Sequence, residues 1–226
     1  MSSIDRTTFR FLTDLKKHND RDWFTAHKDR YEAAMADMRA FADALIARMG
    51  QHDKISTADG REAIYRIYND LRFHKDKPPY KEHLAGSLVR LKPALRGGYY
   101  FHIRPEASFI ACGFWGPVPE DLKRIRMDIL YDHPRWRKLL GAKRLREHWG
   151  ELQGEQLKTA PQGFPKDHPA VALLRFKQFI FNHAFTDKEV FAPDFADRVD
   201  AHYRAIRPWL DHLSEVLTTD EDGSAV

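Results

Sequence analysis

Apolar side chains recur at helical spacing in the N-terminal part of the chain. Phe9, Leu12 and Leu15 lie on one stripe and predict a helix that begins after Asp5 or Thr7, since either side chain can cap free amides. A longer stripe with spacings of three and four predicts a second helix that ends at a glycine. It consists of Tyr31, Met35, Met38, Ala42, Leu45 and Met49, with Gly50 after them.

The same periodicity returns in the C-terminal half. Leu122, Ile125 and Ile129 follow Pro119, a residue suited to the first turn of a helix, and they predict one there. A final helix is expected over residues 195–217. Its stripe is Phe195, Val199, His202, Ile206, Leu210, Leu213 and Leu217, with a kink expected at Pro208.

Residues 151–180 join these two helical regions. The stretch 151–166 contains two glycines and two prolines and predicts a loop. A further helix is expected to begin at 167–169, and its apolar residues are Ala172, Leu173, Phe176 and Ile180.

In the middle of the chain, apolar and polar residues alternate as they do in short strands. Residues 84–91, 98–104 and 108–115 predict three strands, and the turn signals between them predict an antiparallel meander. In the second of these strands, alternation places Tyr100, His102 and Arg104 on one face.

The apolar residues of 63–73 fit both the spacing of a strand and the spacing of a helix. As a strand, Tyr65, Ile67, Leu71 and Phe73 share one face; as a helix, Ile64, Ile67, Tyr68 and Leu71 form an equally good stripe. Aromatic and β-branched residues favour the strand.

These elements predict an α+β fold. We expect a single domain over residues 1–217, in which an antiparallel β-sheet is covered by helices from the N- and C-terminal parts of the chain. No repeat or composition break marks a second domain, and residues 218–226 are expected to form a disordered acidic tail.

Composition narrows the class of protein. The 226 residues include 37 Lys+Arg and 33 Asp+Glu, a formal charge of +4 that allows an anionic partner without demanding nucleic acid. Cys112 is the only cysteine, which excludes a disulfide-built scaffold and favours a cytoplasmic location. No apolar run is long enough for a membrane span or resembles the core of a signal peptide, so no membrane partner is expected.

The most informative charge pattern lies in residues 66–83, RIYNDLRFHKDKPPYKEH. On a strand, Arg66, Asp70 and Arg72 project from one face, and two guanidiniums can grip a phosphate or carboxylate. Asp70 could orient them, act as a general base or bind a metal, and it is the best candidate for a catalytic residue. Whether any reaction occurs is left open.

The expected ligand is therefore an anionic small molecule. The residues proposed to bind it are Arg66, Asp70, Arg72, Lys75, Lys77, Tyr80 and Lys81, with Asn19, Arg21, Trp23, Tyr100 and Arg126 from neighbouring elements. No zinc signature or nucleotide-loop motif occurs, so the pattern predicts no metal site and identifies no cofactor.

Two other interpretations are consistent with the same residues. Asp70 between two arginines can be a structural ion-pair network that only holds the fold. Residues 135–146 contain six basic side chains and no acid, so a nucleic-acid-binding module could use this run together with residues 66–83.

The sequence resembles a bacterial family known as domain of unknown function 2461. The resemblance extends over residues 9–213, and it is carried chiefly by the pattern R-x-x-x-D-x-R-F-x-K-D-K-x-P-Y-K that begins at Arg66. His18 and Asn69 depart from residues common in the family. The resemblance implies a single α+β domain and no established activity, cofactor or catalytic residue.

Overall fold

The computed structural model of the protein describes residues 3–72 and 76–219. These residues form ten helices and four strands in the following order. They are α1 (Arg6–Lys17), α2 (Arg21–Ala26), α3 (Lys28–Met49), α4 (Gly60–Ala63), β1 (Leu84–Val89), β2 (Gly98–Ile103), β3 (Ser108–Phe114), α5 (Pro119–Tyr131), α6 (His133–Leu140), α7 (Lys143–Trp149), α8 (Val171–Leu174), β4 (Phe179–Phe185), α9 (Asp187–Val190) and α10 (Phe195–Thr218).

The four strands form one antiparallel sheet in the order β1-β2-β3-β4, which confirms the α+β fold class. Strands β1 to β3 are the predicted meander. Strand β4 pairs with β3, and a close approach of the two backbones requires Gly113. Its φ is +127°, and a Cβ at this position would lie 2.1 Å from the Phe179 carbonyl oxygen.

The described residues divide into two compact units. The first unit contains residues 3–72, 76–88, 100–110 and 184–201, and the second contains residues 89–99, 111–183 and 202–219. The division passes through strands β1 to β4 and through α10, so each of these elements contributes residues to both units. The single domain expected over residues 1–217 stays a prediction.

In the first unit, helices from both ends of the chain pack on the sheet. The Asp5 carboxylate caps α1 by accepting a hydrogen bond from the Thr7 amide at 2.7 Å. Phe41 of α3 packs edge-on against Phe101 of β2 and stacks with Phe195 of α10, with ring centroids 5.6 and 5.2 Å apart. These contacts bury the apolar faces that the sequence predicts.

The core of the second unit combines aromatic rings with a buried arginine. Trp209 of α10 packs edge-on against Phe181 of β4, with ring centroids 5.3 Å apart. Arg90 follows β1, and its side chain is fully buried. Its guanidinium pairs with Asp211 and donates hydrogen bonds to the Leu210 carbonyl and the Ser214 hydroxyl, both at 3.1 Å.

The strand expected over residues 63–73 is wrong as a continuous element. Helix α4 ends at Ala63. After it, the backbone makes only isolated bridges, from Ile64 to Gly86 and from Tyr68 to Tyr80. The reason is a change of pairing partner, because the backbone pairs first with β1 and then with the residues that follow the Pro78-Pro79 turn. Residue 73 lies outside the described residues.

The helix expected from 167–169 onward is also wrong over most of its length. Only α8 is helical, and the apolar run after it becomes β4. Phe179, Ile180 and Phe181 are all buried, and a short run of this kind fits a strand buried on both faces as well as a helix. Pairing with β3 therefore decided the structure.

Helix α10 ends at Thr218, and residues 220–226 of the predicted tail lie outside the described residues. No helix within the described ranges has both the length and the apolar character needed to cross a membrane.

Candidate functional site

Two extended stretches bring the two ends of the charged segment, residues 66–83, to the edge of β1. The Tyr65 amide donates a hydrogen bond to the Ala85 carbonyl at 2.9 Å, and the Lys81 amide donates one to the Ile67 carbonyl at 2.8 Å. Arg66 and Lys81 therefore come together although they lie fifteen positions apart in the chain.

A cavity of about 190 Å³ lies beside this backbone pairing. Its lining residues are Tyr65, Arg66, Lys81, His83, Ala85 and Tyr100, all from the first unit. Three of them were sequence candidates, namely Arg66, Lys81 and Tyr100. The sequence did not indicate Tyr65 and His83 as binding residues. Their only signal was their position, since Tyr65 directly precedes the charged segment 66–83 and His83 ends it.

Among the described residues, no carboxylate pairs with the cations of this cavity. The Lys81 ammonium donates a hydrogen bond to the Arg66 carbonyl at 2.8 Å. Partial burial and the nearby Arg66 charge both lower the pKa of Lys81. Within residues 3–72 and 76–219, no carboxylate lies at ion-pair distance from either side chain. The site thus holds two cations whose charges repel each other.

Two histidines beside the cavity are held neutral. The rings of His83 and His102 stack with centroids 4.1 Å apart, and His102 Nδ1 lies 3.0 Å from the Tyr100 hydroxyl. Burial, followed by the charges of Lys81 and Arg104, lowers the pKa of His83 to about 4. Burial and the neighbouring His83 lower the pKa of His102 to about 3. At neutral pH the charge of the site therefore comes from Arg66 and Lys81.

Asp70 and Arg72 form an exposed pair that does not line this cavity. Arg72 donates to Asp70 through Nε at 3.0 Å and through Nη2 at 2.7 Å. The Arg72 side chain is 78% exposed, and its pairing with Asp70 raises the pKa of the guanidinium. The structure thus separates this pair from Arg66.

Asn19 and Tyr80 anchor the returning part of the segment. The Asn19 amide donates to the Tyr80 carbonyl at 3.0 Å and accepts from the Tyr80 amide at 3.1 Å. The Tyr80 ring is buried and stacks on Phe24 with centroids 3.9 Å apart. These contacts hold Lys81, the next residue, in place.

The remaining sequence candidates lie elsewhere. Trp23 stacks on His27 with ring centroids 4.2 Å apart, and both Arg21 and Lys77 are exposed. Arg126 belongs to the second unit, where it donates to the carbonyls of Leu174 and Phe176 at 2.9 and 3.1 Å. Lys75 lies outside the described residues.

Three of the six basic side chains in the run at 135–146, those of Arg135, Lys143 and Arg146, have a carboxylate partner. The run is divided between α6 and α7, and Arg135 pairs with Glu215 at 2.6 Å. Arg146 pairs with Glu151 at 2.9 Å, and Arg137 donates to the Pro169 carbonyl. Binding of nucleic acid by this run stays a prediction.

A second polar cluster, in the second unit, was missed by sequence reasoning. Trp136 Nε1 donates to Asp128 Oδ2 at 2.6 Å, and His212 Nε2 lies 3.0 Å from the same oxygen. Burial raises the pKa of Asp128, but the His212 and Trp136 contacts outweigh it and leave the pKa lowered. This cluster adjoins a groove of about 640 Å³ whose arginines already bind carboxylates or carbonyls.

The described residues contain no group of three His, Cys, Asp or Glu side chains placed to hold a metal ion. Cys112 is buried, and burial raises the pKa of its thiol.

Comparison with known proteins identifies a family. No curated protein and no solved structure matches the chain significantly. The model of a family described as conserved hypothetical protein (DUF2461) matches residues 7–212, nearly the whole span over which the sequence resemblance extends. The chain therefore belongs to the DUF2461 family.

Proposed function

We propose that the cavity beside β1 binds the anionic group of a small molecule, a phosphate or a carboxylate. The observation that carries this proposal is the convergence of Arg66 and Lys81 without a carboxylate among the described residues. Charge-assisted hydrogen bonds from a guanidinium and an ammonium are the usual means of holding such a group.

Electrostatics supports an anion more than any other ligand. The neighbouring Arg66 charge and partial burial both disfavour the protonated form of Lys81. A bound anion relieves both effects, since it attracts each cation and replaces lost hydration. Glu82, the acid next to Lys81 in the chain, is already paired with Arg104, so it leaves the two cations of the cavity available to an anion.

The size of the cavity limits what it accepts. Its volume of about 190 Å³ is smaller than the ~300–1,000 Å³ typical of pockets for drug-sized ligands. It therefore takes a small anion or the charged group of a larger molecule. The neutral His83 adds a ring nitrogen that can donate or accept one hydrogen bond.

Calorimetric titration of the full chain tests the proposal, with inorganic phosphate and acetate as probes at neutral pH and low salt. We expect saturable binding of at least one anion, and we expect Arg66→Gln and Lys81→Gln each to weaken it about ten-fold or more, as loss of a charge-assisted contact does.

Arg61→Gln is the matched control. Arg61 is an exposed residue of α4 outside the cavity, and its substitution removes the same unit of charge. We expect Arg61→Gln and Arg72→Gln to bind like the wild type. Absence of saturable binding by both probes, or equal losses in all four variants, would show that no specific site exists.

A further inference from the structure

Aromatic rings continue from the cavity along the outer face of the sheet. The rings of Tyr65 and Tyr100 have centroids 6.4 Å apart, and both residues line the cavity. Next to Tyr100, His102 stacks on Phe109 with centroids 4.6 Å apart. The cations of the cavity are thus bordered by a strip of rings.

This strip results from the alternation of strand β2. Tyr99, Phe101 and Ile103 are buried, while Tyr100 and His102 on the opposite face are only partly buried. Tyr65, on the extended stretch that pairs with β1, is 47% exposed.

Hydrogen bonds hold the two tyrosine rings in place. The Tyr65 hydroxyl donates to the Ser87 hydroxyl at 2.8 Å, and the Tyr100 hydroxyl lies 3.0 Å from His102 Nδ1. The rings are therefore oriented before any ligand arrives, which reduces the entropy lost on binding. Because the pKa of His102 lies far below neutrality, the strip carries no charge of its own.

A ligand that matches this arrangement has an anionic group attached to a flat ring system. We propose that the cavity takes a nucleotide, free or as one unit of a single strand. The phosphate binds Arg66 and Lys81. The base packs against the rings of Tyr65 and Tyr100, as bases do on aromatic side chains in proteins that bind single strands. This inference rests on the proposed anion site and specifies the class of its ligand.

The experiment compares three ligands by calorimetric titration of the full chain: inorganic phosphate, ribose 5-phosphate and adenosine monophosphate. We expect adenosine monophosphate to bind about ten-fold or more tightly than ribose 5-phosphate, since the added base can pack on the tyrosine rings. Tyr65→Leu and Tyr100→Leu should each reduce this ratio, because each removes a ring on which the base packs. Tyr100→Phe keeps the ring and loses only the hydroxyl contact with His102, so it should reduce the ratio less than Tyr100→Leu does.

The outcomes separate the two proposals. Equal affinities for ribose 5-phosphate and adenosine monophosphate would overturn the nucleotide inference and leave the anion site standing. Failure of all three ligands to bind would overturn the anion site itself.

A single-stranded oligonucleotide distinguishes the source of the nucleotide. Affinity equal to that of adenosine monophosphate indicates a free nucleotide. Affinity that rises with strand length and falls steeply with salt indicates one unit of a strand, and Tyr65→Leu should weaken binding in either case.

Discussion

Arg90 and Arg66 differ in both burial and pairing. In the second unit, the fully buried Arg90 guanidinium is bound by Asp211, Ser214 and backbone carbonyls. In the first unit, Arg66 is exposed beside Lys81, and no carboxylate of the described residues pairs with it. The difference indicates that Arg90 holds the fold together, whereas Arg66 can serve a ligand.

The same contrast applies to the other charges of each region. In the second unit, Arg96 pairs with Asp121 and Arg124 donates to the carbonyls of Val216 and Thr219. Around the cavity of the first unit, the acid Glu82 is already paired with Arg104 and leaves Lys81 unneutralised. Pairing, not the local density of basic residues, therefore separates structural cations from candidate binding cations.

The largest difference in stability should appear when one arginine of each region is replaced by methionine. We expect Arg90→Met to lower the free energy of unfolding by about 3 kcal/mol, because Asp211, the buried Leu210 carbonyl and the Ser214 hydroxyl each lose a charged hydrogen-bond partner. Arg66→Met should change it by less than about 0.5 kcal/mol, as exposed substitutions usually do. Urea denaturation measures both values, and equal losses would contradict the contrast.

A smaller effect should appear as a pH dependence of the first unit's histidine pair. The folded-state pKa values of His83 and His102, about 4 and about 3, lie below the ordinary value of 6.5. Between pH 6.5 and these lowered pKa values, the unfolded chain binds more protons than the folded chain. The free energy of unfolding therefore falls as the pH is lowered from 6.5 towards about 4 for His83 and about 3 for His102. Since both rings are partly exposed, solvent screening should limit this loss to about 1–2 kcal/mol.

His102→Phe tests this pH dependence. The substitution removes one titrating group and retains a ring against Phe109. We expect the variant to gain stability relative to the wild type as the pH is lowered through this window, measured by urea denaturation at each pH. Parallel stability profiles for the two proteins would show that His102 is not held neutral.

The smallest effect is expected for Asp70→Asn. If the exposed Asp70–Arg72 pair does not hold the fold, the midpoint of urea unfolding should stay within error of the wild type. A midpoint lowered as far as that of Arg90→Met would establish the structural network that the sequence also allows.

Local patterns predicted much of the fold. The N-cap at Asp5, the stop at Gly50 and strands β1 to β3 depend on neighbouring residues, so they could be predicted from the sequence. Strand β4 could not, because a short apolar run acquires its structure from the strand it pairs with. Arg90, within a predicted strand, gave no local sign that its side chain would be buried against α10.

The sequence indicates some of the residues that line the cavity and not others, because local patterns do not show which distant residues pair. Arg66, Lys81 and Tyr100 were recognised by residue type, but Tyr65 and His83 join them only through the pairing of Tyr65 with Ala85. Alternation predicts Asp70 and Arg72 on the face of Arg66, but they do not line this cavity, and their role in binding stays a prediction. The backbone leaves regular strand geometry before it reaches them, so the alternation does not hold.

The sequence by itself determined the α+β class, the meander and the family, because capping, alternation and a long motif are local properties of the chain. Only the tertiary structure decided which charges are neutralised. Whether an arginine meets Asp211, as Arg90 does, or another cation, as Arg66 does, depends on contacts between residues distant in sequence. The candidate function follows from those contacts.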